Sequence, residues 1–224
     1  MLYALGDLTS FLLLLVATVV ALTLHGWLTA VLCARVGDRQ VIAEGRSVPD
    51  PRRQIDPFGA IGALVGGVGW SRGVATPARH RRSAVLLTTL VPAGVLLVLG
   101  LALLVGWRLV SGLSLPAGAD VSLLLREQTP FVPVGELALL LTGAVFLVNG
   151  LLSLLPLLPL AGGRLLFALA PRSRGWQQAE HQLGERNIGT VVLLALCLFV
   201  TSVPLLPAVL DAIAGPLAAL ATGG

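Results

Sequence analysis

The chain has 224 residues, of which 56% are hydrophobic and only 12% charged, with a formal net charge of +4. A water-soluble domain with so few charges would have little polar surface to show, so composition points to an all-α polytopic membrane protein. All 15 basic residues are arginine and lie in short loops, a pattern that speaks for membrane topology; no nucleic-acid partner is expected.

Met1 to Asp7 carries no basic side chain, and the apolar run that follows is too long for the core of a cleavable leader, so none is expected. That run, about residues 8–34, is long enough to cross about 30 Å of hydrocarbon at about 1.5 Å per residue. Residues 58–70 are apolar but short, and Gly59, Gly62, Gly66, Gly67 and Gly69 each lower helix propensity by about 1 kcal/mol relative to alanine. A re-entrant or surface-lying element packed on the bundle is expected there. A second span is expected over about 84–107, with Pro92 as a kink. A third covers about 136–155 and runs into the proline-rich segment 156–163. Residues 172–187 mix polar side chains with Trp176 and Leu183, as in a short amphipathic helix on the cytoplasmic surface. A fourth span is expected over about 188–210. Nothing repeats at a fixed period, so residues 1–224 are taken as a single membrane domain.

Nine arginines from Arg35 to Arg82 lie between the first two spans, and four from Arg164 to Arg186 lie between the last two. The intervening loop holds Arg108 and Arg126, offset by Asp120 and Glu127. The positive-inside rule then puts both basic loops in the cytoplasm and both termini outside. The cluster Arg79-His80-Arg81-Arg82 sets that orientation or contacts anionic lipid. Trp70, Trp107 and Trp176 fall near span edges, where indoles favour the headgroup region, whereas Trp27 lies mid-span. Cys33 and Cys197 read as buried apolar residues without metal-site spacing.

Two stretches carry the functional signal. Leu24-His25-Gly26-Trp27-Leu28-Thr29-Ala30 sits inside the first span, and Leu155-Pro156-Leu157-Leu158-Pro159-Leu160-Ala161-Gly162-Gly163-Arg164 follows the third. A zincin helix carries H-E-x-x-H, two imidazoles on one face with a glutamate as general base. Here Gly26 stands at the glutamate position and Thr29 at the second histidine. His25 is expected to hydrogen-bond to Thr29 or to a facing carbonyl. Asn149 reads as an interhelical hydrogen bond or a clamp on substrate, Ser153 as bonded to its own helix, and Asp56 as a turn or cap.

In this order the pieces resemble the site-2 protease family of intramembrane zinc metalloproteases, in the compact bacterial form without a PDZ domain. The family's HEFAHA is matched by His25 to Ala30. Its GRLTLNPLKHIDPLG is matched by Gly45 to Gly59, the most specific stretch, which keeps Ile55-Asp56-Pro57. GWAKPVPVNP is matched by Gly69 to Pro77, and FNLLPIPPLDGGR by Leu152 to Arg164. The resemblance implies a bacterial cytoplasmic membrane and a zinc held by two histidines and an aspartate; here those positions are His25, Thr29 and Ala161. Such a set has one good donor, and Gly26 supplies no base. His80 and His181 fall in loops, and Glu136, Asp7, Asp120 and Asp211 near the outer side. The expectation is therefore no metal, no other cofactor and no enzyme: a pseudoprotease serving as scaffold, accessory subunit or transmembrane-helix-binding regulator. Its partners would be lipid and a membrane protein engaged through a transmembrane helix. The alternative is an active intramembrane zinc metalloprotease with a non-standard ligand set; a small transporter or channel lacks the expected repeat and charges.

Overall fold

The computed structural model describes residues 6–74, 82–116, 118–122, 124, 132–171, 173–185, 187–198 and 205–224. Regular structure among them is helical, apart from one isolated antiparallel bridge between Ile55 and Ser71. Of the basic cluster 79–82 only Arg82 falls within the described residues.

Aspartates start the early helices. Asp7 accepts from the backbone N–H groups of Thr9 and Ser10 to open α1 (Leu8–Arg35), and Asp38 caps α2 (Arg39–Ala43). Asp50 and Asp56 cap α3 (Pro51–Gln54) and α4 (Pro57–Gly66), each followed by a proline whose missing N–H costs nothing at that position. Asp56 is thus a helix cap, one of the two roles its sequence context allows. Gly67, at φ 80°, ends α4 in the left-handed conformation that favours glycine, and residues 68–74 continue without helix. Gly59 and Gly62 leave room for Trp70, which folds back onto α4.

Helix α5 (Arg82–Ser111) runs through Pro92, and α6 (Val134–Leu154) lies at the centre of the molecule. In its most apolar window α6 is 78% buried, against 39% for α1 and 33% for α5, which pack around it. At the α5–α6 crossing the backbones nearly touch: a Cβ on Gly100 would stand 2.7 Å from Leu147 N. The outer faces of α1 and α5 carry large apolar side chains in the open, among them Leu12, Val16, Val98 and Leu109. That is what lipid-facing helices need, and α1, α5 and α6 are all long and apolar enough to cross a membrane.

Over the expected span 188–210 the structure describes α9 (Ile188–Leu198) and the first part of α10 (Leu205–Thr222), both shorter apolar helices, with 199–204 outside the described residues. Asp211, which sequence puts near the outer end of that span, accepts from the N–H and O–H of Ser122, and α10 runs on past it to Thr222. Trp70 and Trp107 are each only 4% exposed and belong to the core. The glycines opposite Trp70 open a slot that an indole fills. Finally, the broken backbone after α6 gives way at once to a further helix, α7 (Ala161–Leu169), because Gly162 and Gly163 let it approach the Leu154 and Leu157 carbonyls closely. Beyond it lie α8 (Arg174–Glu180) and a π-helical turn, His181–Glu185, where Trp176 meets Phe167 edge-on at 5.6 Å.

Candidate functional site

His25 projects from the middle of α1 and is 6% exposed. Its Nδ1 lies 2.8 Å from Ser71 Oγ, while Nε2 is enclosed with no partner among the described residues. Thr29 does not bond the imidazole as its sequence position suggested; its hydroxyl donates to the His25 carbonyl one turn back, at 2.8 Å. Gly26 faces Gln54: a Cβ there would lie 3.0 Å from both Cβ and Oε1 of that side chain. Gln54 is fully buried and anchored by its amide to the carbonyls of Arg46 (2.6 Å) and Val48 (3.1 Å). The space where a glutamate would reach from position 26 is therefore occupied. A double-mutant cycle should show it: adding Gly26→Glu to Gln54→Ala is expected to cost about 1–2 kcal/mol less than adding it to the native chain. Equal costs in denaturant unfolding would mean that the two side chains do not compete.

His25 and Ser71 line a small, partly enclosed cavity of about 20 Å³, whose wall also includes Leu96 of α5, Asn149 of α6, Ala161 and Arg164. Asn149 takes the hydrogen-bonding role: Oδ1 accepts from Gly69 N at 3.3 Å and Nδ2 donates to Val145 O at 2.7 Å. Ser153 donates to Gly150 O within its own helix, as its mid-span position suggested.

Segment 68–74 forms one side of the cavity and is tied from several directions. Asn149 holds Gly69, the Gln54 carbonyl accepts from Arg72 N (2.7 Å), and Arg164 Nη1 donates to Val74 O (2.9 Å). Arg46 spreads its guanidinium over the carbonyls of Arg72 (2.7 Å) and Gly73 (2.9 Å). Burial pulls the Arg46 pKa down from its usual value, with the nearby Glu44 carboxylate opposing. An arginine starts so high that it stays charged.

These side chains do not fit a protein-held zinc. Zinc sites take three or four N, S or O donors from the protein. Here His25 Nε2 is the one available imidazole nitrogen, the Thr29 hydroxyl is turned to a backbone carbonyl, and Ala161 has no donor. No group of three His, Cys, Asp or Glu residues able to hold a metal occurs among the described residues. His181 lies exposed in the π-helical turn, and His80 falls outside the described residues. Cys33 and Cys197 are both buried, as their apolar settings suggested.

Ser71, Gln54 and Arg46 were not singled out by sequence. The stretch Gly69-Trp70-Ser71 was visible as a match to the family's pattern, but nothing local placed its serine opposite a histidine 46 residues earlier.

No family model matches the chain, and no solved structure matches it. A Bacillus subtilis (strain 168) protein named "Putative zinc metalloprotease YwhC" is 29% identical over 164 residues, which cover 70% of this chain and 69% of the relative. This corrects the expectation that the chain is not an enzyme. That expectation rests on the loss of zinc donors and of a base at position 26, whereas the likeness over most of both chains points to a protease. The chain is a helical membrane protein similar to a named zinc metalloprotease.

Proposed function

We propose that the chain is an intramembrane hydrolase that cuts peptide bonds in membrane-embedded polypeptides, with the His25 cavity as its reaction site. The observation that carries this reading is the buried imidazole whose Nε2 has no partner among the described residues and which lines a small cavity among apolar helices. Leaving such a nitrogen unpaired costs about 1–3 kcal/mol, and polar groups at membrane depth mark function. Likeness to a named metalloprotease supports the same reading. The transmembrane helix that sequence suggested as a partner becomes the substrate, and capturing it becomes the first step. On this reading the core is of the site-2 protease type, set in a bacterial cytoplasmic membrane with both termini outside.

The test compares protein termini in native membranes carrying the wild-type chain with those carrying His25→Ala. New termini within apolar segments are expected with the former and should fall by about 100-fold or more with the latter, the scale of a lost acid–base group. Identical sets of termini would overturn the proposal.

A further inference from the structure

The cavity that lacks a zinc donor set holds a different reactive pair. Ser71 Oγ and His25 Nδ1 are 2.8 Å apart, within the range in which a base takes a proton from a nucleophile. Both partners are fixed. His25 rides on a membrane-length helix, and Ser71 sits in the Ile55 bridge, two residues from Gly69 on Asn149 and next to Arg72 on Gln54. A reactive side chain held by the surrounding hydrogen bonds is what precise chemistry requires. Arg164 lines the same cavity, bonds Val74 O through Nη1, and keeps an enclosed Nε–H without a partner among the described residues. A guanidinium placed there suits a negative oxygen that forms only during reaction.

We infer that Ser71 and His25 form a serine–histidine dyad for acyl transfer, with Arg164 stabilising the oxyanion; only the choice of a peptide bond as substrate rests on the proposed function above. In the reactive tautomer the ring proton is on Nε2 and Ser71 donates to Nδ1. Ser71 Oγ bonds to the carbonyl carbon as its proton passes to Nδ1, and the carbonyl π pair moves onto oxygen beside Arg164. The oxyanion collapses, the C–N bond breaks, and His25 returns the proton to the leaving nitrogen. Water then attacks the acyl-serine ester and gives its proton to Nδ1. The ester C–O bond breaks, the carboxylic acid departs, and the proton returns to Ser71 Oγ.

The experiment uses the full chain in lipid nanodiscs and a fluorophosphonate, which bonds to activated serine oxygens with loss of fluoride. One adduct per chain at Ser71 is expected by peptide mass spectrometry. It should be absent in Ser71→Ala and form about 100-fold more slowly or less in His25→Ala. Should His25→Ala fail to fold, Ser71→Cys keeps the pair's size. Iodoacetamide should then alkylate position 71 ahead of the buried Cys33 and Cys197. No preferential adduct at Ser71 in the folded wild type, or labelling unchanged in folded His25→Ala, overturns the dyad. If His25-dependent cleavage in membranes persists in that case, the proposed function stands without it. Labelling at Ser71 with no cleavage supports the dyad and removes the peptide bond as its substrate.

Discussion

Gly100→Leu is expected to lower stability by about 3 kcal/mol or more and to leave little folded protein in mild detergent. Helices in lipid gain nothing from hiding apolar surface from one another, so close packing must hold them together. At the α5–α6 crossing that packing is backbone on backbone. A Cβ at position 100 meets Leu147 N at 2.7 Å and Gly143 O at 3.0 Å, and neither can swing aside as a side chain tip would. Gly143 in turn leaves room for Leu104, which a Cβ there would meet at 2.9 Å. Gly94 lies on the same helix with nothing within 4 Å of its Cβ position, so Gly94→Leu is the matched control. It should change stability little, or raise it, since leucine is the better helix former by about 1 kcal/mol. Similar unfolding free energies for the two variants would show that the crossing is looser than described.

Arg46→Met should cost about 3 kcal/mol, and with it the definition of the reactive segment. Arg46 is 2% exposed and satisfies the carbonyls of Arg72 and Gly73, while its ion pair with Glu44 is stretched to 4.0 Å against a largely open carboxylate. The loss therefore comes from two stranded carbonyls, at about 1–3 kcal/mol each, far more than from the surface-facing ion pair. Arg46→Lys should recover part of it, because an ammonium is a point donor and cannot span two carbonyls with a planar fork. Arg46 is a positioning residue: it acts on Ser71 through the backbone of the next two residues. In variants that still fold, fluorophosphonate labelling at Ser71 should slow while His25 stays in place. Wild-type stability together with wild-type labelling in Arg46→Met would remove this role.

The long helices were legible because their evidence is local. Apolar runs of membrane length announced α1, α5 and α6, and Asp56 before Pro57 offered the cap that starts α4. What stayed hidden are partners distant along the chain. Trp70 and Trp107 suit a headgroup region by type, and only the tertiary structure shows the slots that bury them. Asp211 lies near a span end in sequence, and only the fold shows Ser122, 89 residues away, bonded to it. In the site, the degenerate positions 25, 26, 29 and 161 could be read by alignment, but their new neighbours could not. Gln54 beside Gly26 and Ser71 beside His25 are relations between elements, and neither has a spacing that sequence patterns encode.

The bonds that hold segment 68–74 set an order on how the chain matures. His25 meets Ser71 across 46 residues, Asn149 meets Gly69 across 80, and Arg164 meets Val74 across 90. A ribosome delivers these partners in that sequence, and the last of them lies on a helix that begins only after the third membrane-length segment. Closing such long loops is slow compared with forming a helix. During synthesis the serine is therefore made early but clamped late, so a nascent or truncated chain carries the reactive residues without the clamp that aligns them. Biogenesis itself thus acts as a timer that withholds competence until the helix carrying Arg164 is made.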